Sequence, residues 1–303
     1  MALGVQRLFD NNIKVHFAGS EGNQTVDCAL RAANVRYRLF SCYKFIVSKK
    51  RDSNFELPYN NVIRYGEKYY RHTIQDSGLF TLMFGAAKGC KLTMQDMIEW
   101  QDKLIAFVQQ NNLKCTCVEM DVQKVLGVNE AWDLRYRMRK LLKNRQINVF
   151  HYEDGKDGLD RLIDFSDYIA ISVPEMRIIK PGTFRGYVHQ LAWYIKNRKP
   201  EIDIHLLGCT DFKMLKENKF CTTADSTSWL SGIKFGSFGD GKVKSHIRNL
   251  KRDMMEQRKA LILPMLDDYG IKVAESTLDY TVRSSLCATI CKQRYTEMAG
   301  SQE

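Results

Sequence analysis

Three acidic side chains of the chain each follow a short, apolar, strand-like stretch. Asp76 follows His72–Gln75, Asp121 follows Cys115–Met120, and Asp225 follows Phe220–Thr223. A single acid in such a place is ordinarily the N-cap of the next helix. Three acids that converge are harder to explain as caps, because their mutual repulsion would have to be tolerated. We therefore predict that the three carboxylates form a cluster at the active site of the protein.

Other residues near these acids could bind a flat ligand. In the segment 76–80, a glycine two residues after the acid permits a tight turn and close approach of a ligand. Phe80 and Leu207 could sandwich a planar ring, although burial in the core is the commoner fate of such residues. His151 ends another strand-like stretch. It either adds a polar contact or is satisfied by the backbone, and we favour the second interpretation.

The elements around these residues alternate between short strands and longer helices. This order predicts a (β/α)8 TIM barrel over residues 1–245, with a helical C-terminal portion, residues 246–303, packed on it. The remaining predicted strands are Lys14–Ala18, Tyr37–Ser41, Asn148–Tyr152, Tyr168–Ser172 and Ile204–Leu207. The predicted helices include Leu92–Asn111, Asn129–Lys143, Thr183–Asn197 and Asp211–Glu217. In such a barrel the active site lies where the strands end.

Composition limits the class of protein without defining its chemistry. The 303 residues carry 46 basic and 35 acidic side chains, a net charge of +11. That charge is equally compatible with a protein that binds a polyanion such as DNA or RNA and with a basic protein that has no such partner. The nine scattered cysteines form no zinc-binding pattern and indicate buried thiols in a reducing compartment, so we predict no metal and no cofactor. We see no membrane span and no secretion signal, and predict a cytoplasmic protein.

Short motifs in this order resemble those of the tRNA-guanine transglycosylases. The segments that carry the resemblance span about residues 70 to 235: Asp76-Ser77-Gly78-Leu79-Phe80, Glu119-Met120-Asp121, the segment from Tyr168 to Glu175, His205-Leu206-Leu207-Gly208 and Thr223-Ala224-Asp225-Ser226. The family's Gly-Gly pair is replaced here by Ile169-Ala170, and its zinc site is absent. These departures, with His16 to Glu21 and Thr223 to Trp229, are similar to the compact phage enzymes that insert 7-deazaguanine derivatives into DNA.

The resemblance implies a base exchange through a covalent aspartyl-glycosyl intermediate. Asp225 would be the nucleophile and Asp76 the proton shuttle, and Asp121 would read the guanine edge. The implied partners are a free 7-deazaguanine base, such as preQ0, and double-stranded DNA with the target guanine flipped out. In a phage-encoded enzyme this modification would protect DNA against restriction in the host cytoplasm. The resemblance implies that further contacts to the base come from Ser77, Gly78, Phe80, Leu207, Gly208, His151 and Glu175.

A basic stretch after the predicted nucleophile could hold the DNA backbone. Its candidate phosphate contacts are Lys234, Lys242, Lys244 and Arg248, and a solvated helix face is an equally good explanation of them. Three alternatives stay open: the same chemistry on tRNA, a non-catalytic nucleic-acid-binding subunit, and a metal-dependent barrel hydrolase. A homodimer is compatible with the sequence, which does not decide the oligomeric state.

Overall fold

The strands form a closed parallel barrel in chain order. A computed structural model describes residues 12–21, 23–43, 69–79, 91–209, 211–231 and 252–299. In this part of the chain the barrel runs from β1 to β8, and β1 pairs with β8 from Lys14–Thr223 to Phe17–Ser226. The strands are β1 Lys14–Phe17, β2 Tyr37–Ser41, β3 His72–Asp76, β4 Thr116–Val118, β5 Gln146–Phe150, β6 Tyr168–Ser172, β7 Asp203–Leu207 and β8 Thr223–Ser226. The predicted (β/α)8 barrel is confirmed.

Helices surround the barrel, and most follow a strand. They are α1 Gln24–Ala32, α2 Met94–Gln110, α3 Gln123–Leu126, α4 Val128–Leu141, α5 Gly155–Phe165, α6 Val173–Ile179, α7 Phe184–Arg198, α8 Phe212–Glu217, α9 Arg252–Asp268 and α10 Glu275–Ala299. Short 3-10 turns span Tyr152–Asp154 and Ser228–Leu230. At the start of α2, the Thr93 hydroxyl accepts the Asp96 amide and the Asp96 carboxylate accepts the Thr93 amide. This capping box satisfies backbone donors that a helix start leaves open.

The last strand begins later in the chain than its composition predicted. The apolar stretch Phe220–Thr223 suggested a strand, but the Cys221 amide donates to the Asn218 carbonyl in a turn. Pairing with β1 begins at Thr223. Asp225 therefore lies within β8 and not after it, which corrects the predicted strand. The difference arises because the edge of the neighbouring strand, rather than local hydrophobicity, sets where pairing starts.

Strand residues alternate between the inside of the barrel and the layer under the helices. Val15 and Phe17 belong to the outer core, whereas His16 on β1 hydrogen-bonds to His72 on β3 at 2.7 Å. That contact bypasses β2, so both imidazoles lie inside the barrel. The apolar interior includes Leu39, Ile74, Val118, Ile147, Val149, Tyr168 and Ala170. The barrel centre is therefore filled, and a ligand can enter only at an end.

The C-terminal helices complete the core of the barrel. The Tyr295 side chain on α10 is 1% exposed, and its ring lies 5.8 Å from that of Phe17 and 5.1 Å from that of Phe212. On α9, Ile262 and Leu266 are buried against Cys28 of α1. The predicted packing of a helical portion on the barrel is thus seen, while the predicted boundary at residues 245 and 246 lies outside the described residues. No helix of the described part combines the length and hydropathy needed to cross a bilayer.

Candidate active site at the carboxyl ends of the strands

Asp76 is the last residue of β3 and points into the mouth of the barrel. One of its carboxylate oxygens accepts the Gly78 amide at 2.9 Å. Burial raises the pKa of Asp76 to about 7 against the lowering effect of that hydrogen bond, and the nearby charges of Asp225, Glu21 and Asp121 raise it further. The charges of the three predicted acids therefore interact at one end of the barrel, as their positions after the strands led us to expect.

The turn after β3 holds Asp76 in place. Gly78 has φ +75°, and a Cβ on it would lie 2.5 Å from the backbone nitrogen of Tyr43. Only glycine fits both the backbone angle and this close approach. The Trp100 indole donates to the Ser77 carbonyl at 2.8 Å, and the Ser77 side chain is buried. Ser77 and Gly78 thus shape the turn, and their predicted contact with a ligand stays a prediction.

Asp225 is held from two directions. Its Oδ1 accepts the Gly208 amide at 2.6 Å, and the Nε2 atom of His205 lies 3.3 Å from the same oxygen. Gly208 has φ +63°, and a Cβ there would lie 2.9 Å from the Pro174 side chain. The turn after β7 therefore presents a backbone donor to Asp225 because the residue at its corner is glycine.

His205 is a site residue that sequence reasoning did not assign. It is fully buried on β7, and its Nδ1 lies 2.7 Å from the Thr223 hydroxyl, which also contacts the Tyr168 hydroxyl. When His205 accepts from Thr223 at Nδ1, its Nε2 carries the proton and faces Asp225. The sequence did contain a signal for this residue. Because side chains alternate along a strand, His205 lies on the same face of β7 as Leu207, two residues later.

Asp121, His151 and Glu175 form an ionic group on the other side of the mouth. The His151 Nε2 lies 2.6 Å from the Asp121 carboxylate, and its Nδ1 lies 3.3 Å from that of Glu175. Burial lowers the pKa of His151, but hydrogen bonds and charges from both acids overcome this and raise it to about 10. The favoured interpretation of His151, as a histidine satisfied by the backbone, is therefore wrong.

Lys124 extends this ionic group toward solvent. Its ammonium lies 3.1 Å from Glu175 and also pairs with Glu153. Burial would raise the pKa of Glu175, yet His151 and Lys124 together hold it below its ordinary value. Asp121 uses one oxygen on His151, and its side chain is 33% exposed. Within the described part of the chain, the second oxygen of Asp121 makes no hydrogen bond and can accept one from a ligand in the mouth.

Several predicted contacts lie outside the described residues. These are Phe80, Lys234, Lys242, Lys244 and Arg248. Leu207 ends β7 and packs against the interior apolar cluster, and the predicted ring sandwich with Phe80 stays a prediction. Within the ranges that the structure describes, no group of three or more His, Cys, Asp or Glu side chains could hold a metal ion.

The comparisons with known proteins identify no family for this chain. No family model and no curated protein matches the chain. The YdjI aldolase from Escherichia coli K12 has a TM-score of 0.45 at 9% identity, over 96% of this chain and 92% of that chain. The N-acetylneuraminate lyase from Mycoplasma synoviae has a TM-score of 0.44 at 9% identity, over 94% of this chain and 98% of that chain. A lysine mutant of the Ruminococcus gnavus sialic acid aldolase has a TM-score of 0.43 at 8% identity, over 96% and 100%. Such likeness concerns the barrel and carries no activity over to this chain.

These findings correct the family that the motifs suggested. No transglycosylase model matches the sequence, and the solved structures named above are aldolases and a lyase. The assignment to the tRNA-guanine transglycosylases is wrong, and so are the predicted glycosyltransferase activity and its tRNA and non-catalytic variants. The physical reason lies in the motifs, which are only three to eight residues long. An acid, a small residue and a glycine are what many parallel barrels place where a strand turns toward a helix.

Proposed function

We propose that this barrel is an acid–base enzyme that transfers protons to and from a small polar substrate, with Asp76 as general acid and Asp225 as general base. The observation that carries the proposal is the contrast between the two carboxylates. Burial and neighbouring acids raise the pKa of Asp76 to about 7, so it holds a proton near neutrality. The Oδ1 atom of Asp225 instead accepts the Gly208 amide and lies 3.3 Å from the Nε2 atom of His205. Two carboxyl groups with different surroundings can take the two roles.

The charge of the mouth defines the substrate class. Glu21, Asp76, Asp121, Glu175 and Asp225 lie at or near the mouth, and the cations described there are His151 and Lys124, both already paired with acids. Such a site repels phosphates and carboxylates. The free oxygen of Asp121 accepts an N–H or O–H group. We therefore propose an uncharged or cationic substrate that carries hydrogen-bond donors.

A Schiff-base reaction finds less support among the described residues. The Ruminococcus gnavus aldolase is described as having a catalytic lysine. In the described part of this chain, no strand ends on a lysine or is followed directly by one. Lys14 begins β1 at the opposite end of the barrel, and Lys124 is paired with Glu153 and Glu175. The described residues therefore favour catalysis by carboxylates.

The test of this proposal uses a panel of neutral and cationic sugars, nucleosides and amines in D2O. Mass spectrometry would follow consumption of each compound and its uptake of deuterium at carbon. We expect at least one compound to react, and the rate to fall by roughly 10²–10⁴-fold in both Asp76→Asn and Asp225→Asn. Asp102→Asn is the matched control, because Asp102 pairs with Arg137 on the outer surface.

A substrate-independent measurement accompanies the panel. The ¹³C NMR titration of the Asp76 carboxyl, assigned with Asp76→Asn, should show a midpoint near the raised pKa of about 7. A midpoint at the ordinary value would remove the general acid, and full activity in Asp225→Asn would remove the general base. Either result contradicts the proposed function.

Four further expectations are kept as proposals. We propose a cytoplasmic location, supported by buried cysteines that are all free thiols among the described residues. A double-stranded DNA partner, a homodimer and the absence of a cofactor stay predictions. The DNA partner would rest on the net charge of +11 and on basic residues that lie outside the described part of the chain.

A further inference from the structure

A cleft on the outer face of β5 is separate from the mouth. Phe150, the last residue of β5, lies in the outer core with Leu159, whereas His151 reaches Asp121 in the mouth. Successive strand residues point to opposite faces, so the two sites lie on opposite sides of β5. The cleft, which we call the tyrosine cleft, has Phe150, Leu159 and Leu191 as its floor and Tyr152, Tyr187 and Tyr194 as its walls. Its volume is about 340 Å³.

The walls of the tyrosine cleft suit a flat, apolar body. The Tyr152 and Tyr187 rings meet edge to face with centroids 5.7 Å apart. Apolar side chains with a few polar groups and a volume of a few hundred Å³ are typical of sites for small molecules. An aromatic ring can gain edge-to-face contact with these tyrosines in addition to burial of its area. The cleft therefore has room and surfaces for one small ring system.

A lysine beside the cleft favours a ligand that carries a negative charge. The Lys180 ammonium lies 5.0 Å from the Tyr152 ring centroid and 5.7 Å from that of Tyr187. Within the described ranges, no carboxylate lies within ion-pair distance of Lys180. Lys156 lies over Tyr194, but it is paired with Asp160 at 2.8 Å. Lys180 is thus the cation at this cleft that can take an anionic group.

We propose that the tyrosine cleft binds a planar organic anion, an aromatic carboxylate, with its ring against the apolar floor of Phe150, Leu159 and Leu191 and its carboxylate on Lys180. This inference does not depend on the acid–base function of the mouth. The Tyr194 hydroxyl donates to Asp160, which orients that wall of the cleft. The carboxylate of the ligand is directed toward Lys180, because the other cation of the cleft, Lys156, is already paired with Asp160.

The experiment uses 1-naphthoate as the probe and neutral 1-naphthamide as its uncharged analogue. Calorimetry and ligand-detected NMR would measure binding to the full-length chain. We expect naphthoate to bind more tightly than naphthamide, and Lys180→Gln to weaken naphthoate by about five-fold, the upper range for an exposed ion pair. Lys213→Gln, at an exposed lysine on α8, is the matched control and should leave binding unchanged. Tyr187→Leu should weaken both probes, and thermal unfolding of each variant would confirm that it is folded.

Four results would overturn the proposal. Naphthoate could fail to bind, naphthamide could bind equally well, or Lys180→Gln could leave naphthoate binding unchanged. Loss of binding in Asp225→Asn would place the probe in the mouth and not in the tyrosine cleft. Retained binding in Asp225→Asn together with loss of proton-transfer activity would support both sites as independent.

Discussion

Asp76 shows at the scale of one residue how the mouth controls protonation. The pKa of this carboxyl is raised from 3.8 to about 7 in the folded chain, mainly by burial. The folded state therefore binds a proton more tightly than the unfolded state between these values. The free energy of unfolding must fall as the pH rises from about 4 to about 7, and the loss persists at higher pH.

Replacing Asp76 by asparagine removes this penalty. We expect Asp76→Asn to raise the free energy of unfolding at pH 8, by at most about 4 kcal/mol for a shift of this size, and to have little effect at pH 4. Urea unfolding at the two pH values measures the difference. Asp102→Asn on the outer surface should show no such dependence on pH. An equal effect of Asp76→Asn at both pH values would mean that the carboxyl is not protonated near neutrality.

His151 differs from Asp76 because its pKa is raised by its acidic partners and not by burial. Because Asp121 and Glu175 raise its pKa to about 10, the ring should carry two protons at pH 8. We expect ¹⁵N NMR to show both ring nitrogens protonated in the native chain. In the double variant Asp121→Asn, Glu175→Gln, burial should dominate and the pKa should fall to or below 6.5. The stabilisation from this group is complete below pH 6.5 and is lost as the pH rises through about 10.

At the scale of an element, the turn after β7 requires glycine at position 208 and places its amide on Asp225, the proposed general base. Gly208→Ala puts a Cβ into the left-handed region and 2.9 Å from Pro174. Gly270→Ala is the matched control, because Gly270 has φ +65° and its added methyl group would meet nothing within 4 Å. We expect a loss of about 1 kcal/mol in the control and about 2–3 kcal/mol in Gly208→Ala.

Activity separates the two glycines further. Gly208→Ala should displace the amide that donates to Asp225 and lower the rate of proton transfer, whereas Gly270→Ala should leave the rate unchanged. Denaturant unfolding and the D2O assay measure the two effects. Equal stability losses in both variants would mean that the turn shifts to admit the methyl group without cost.

A buried ion pair joins β4, β5 and α4. Arg135 donates twice to Glu119, at 2.7 and 2.9 Å, and Glu119 also accepts from Asn148 and from the Val149 amide. Removing one partner leaves an uncompensated charge, so Arg135→Met should cost about 3–5 kcal/mol. Arg283→Met on α10 breaks an exposed pair with Asp279 and should cost less than about 1 kcal/mol. Urea unfolding compares them, and similar losses would contradict the role of burial.

At the scale of the whole molecule, α10 belongs to the barrel core. We expect Tyr295→Ala to cost about 3–5 kcal/mol, because the ring is buried against Phe17 and Phe212. Tyr136→Ala should cost much less, since Tyr136 is 51% exposed. Far-UV circular dichroism and tryptophan fluorescence should report one shared transition. A separate earlier transition of the C-terminal helices would show that they fold as an independent unit.

The sequence by itself determined the architecture and the end of the barrel at which the acids meet. Alternation of short β-rich and longer amphipathic segments predicted the barrel, since those periods reflect burial of one face of each element. The positions of Asp76 and Asp121 after β-rich segments predicted their meeting, because the carboxyl ends of parallel strands share one edge. The local sequence pattern was sufficient for these features, because they depend on residues that are close together in the chain.

Only the tertiary structure decided the partners and the protonation of these residues. The contacts of His151 with two acids, of His205 with Asp225, and of Glu119 with Arg135 join residues 16 to 30 positions apart, which no local pattern encodes. The placement of Asp225 within β8 depended on pairing with β1. The motif resemblance misled because strand-end turns in unrelated barrels reuse the same few residue types. The chemistry follows from burial and from the distances between charges, and these exist only once the barrel has closed.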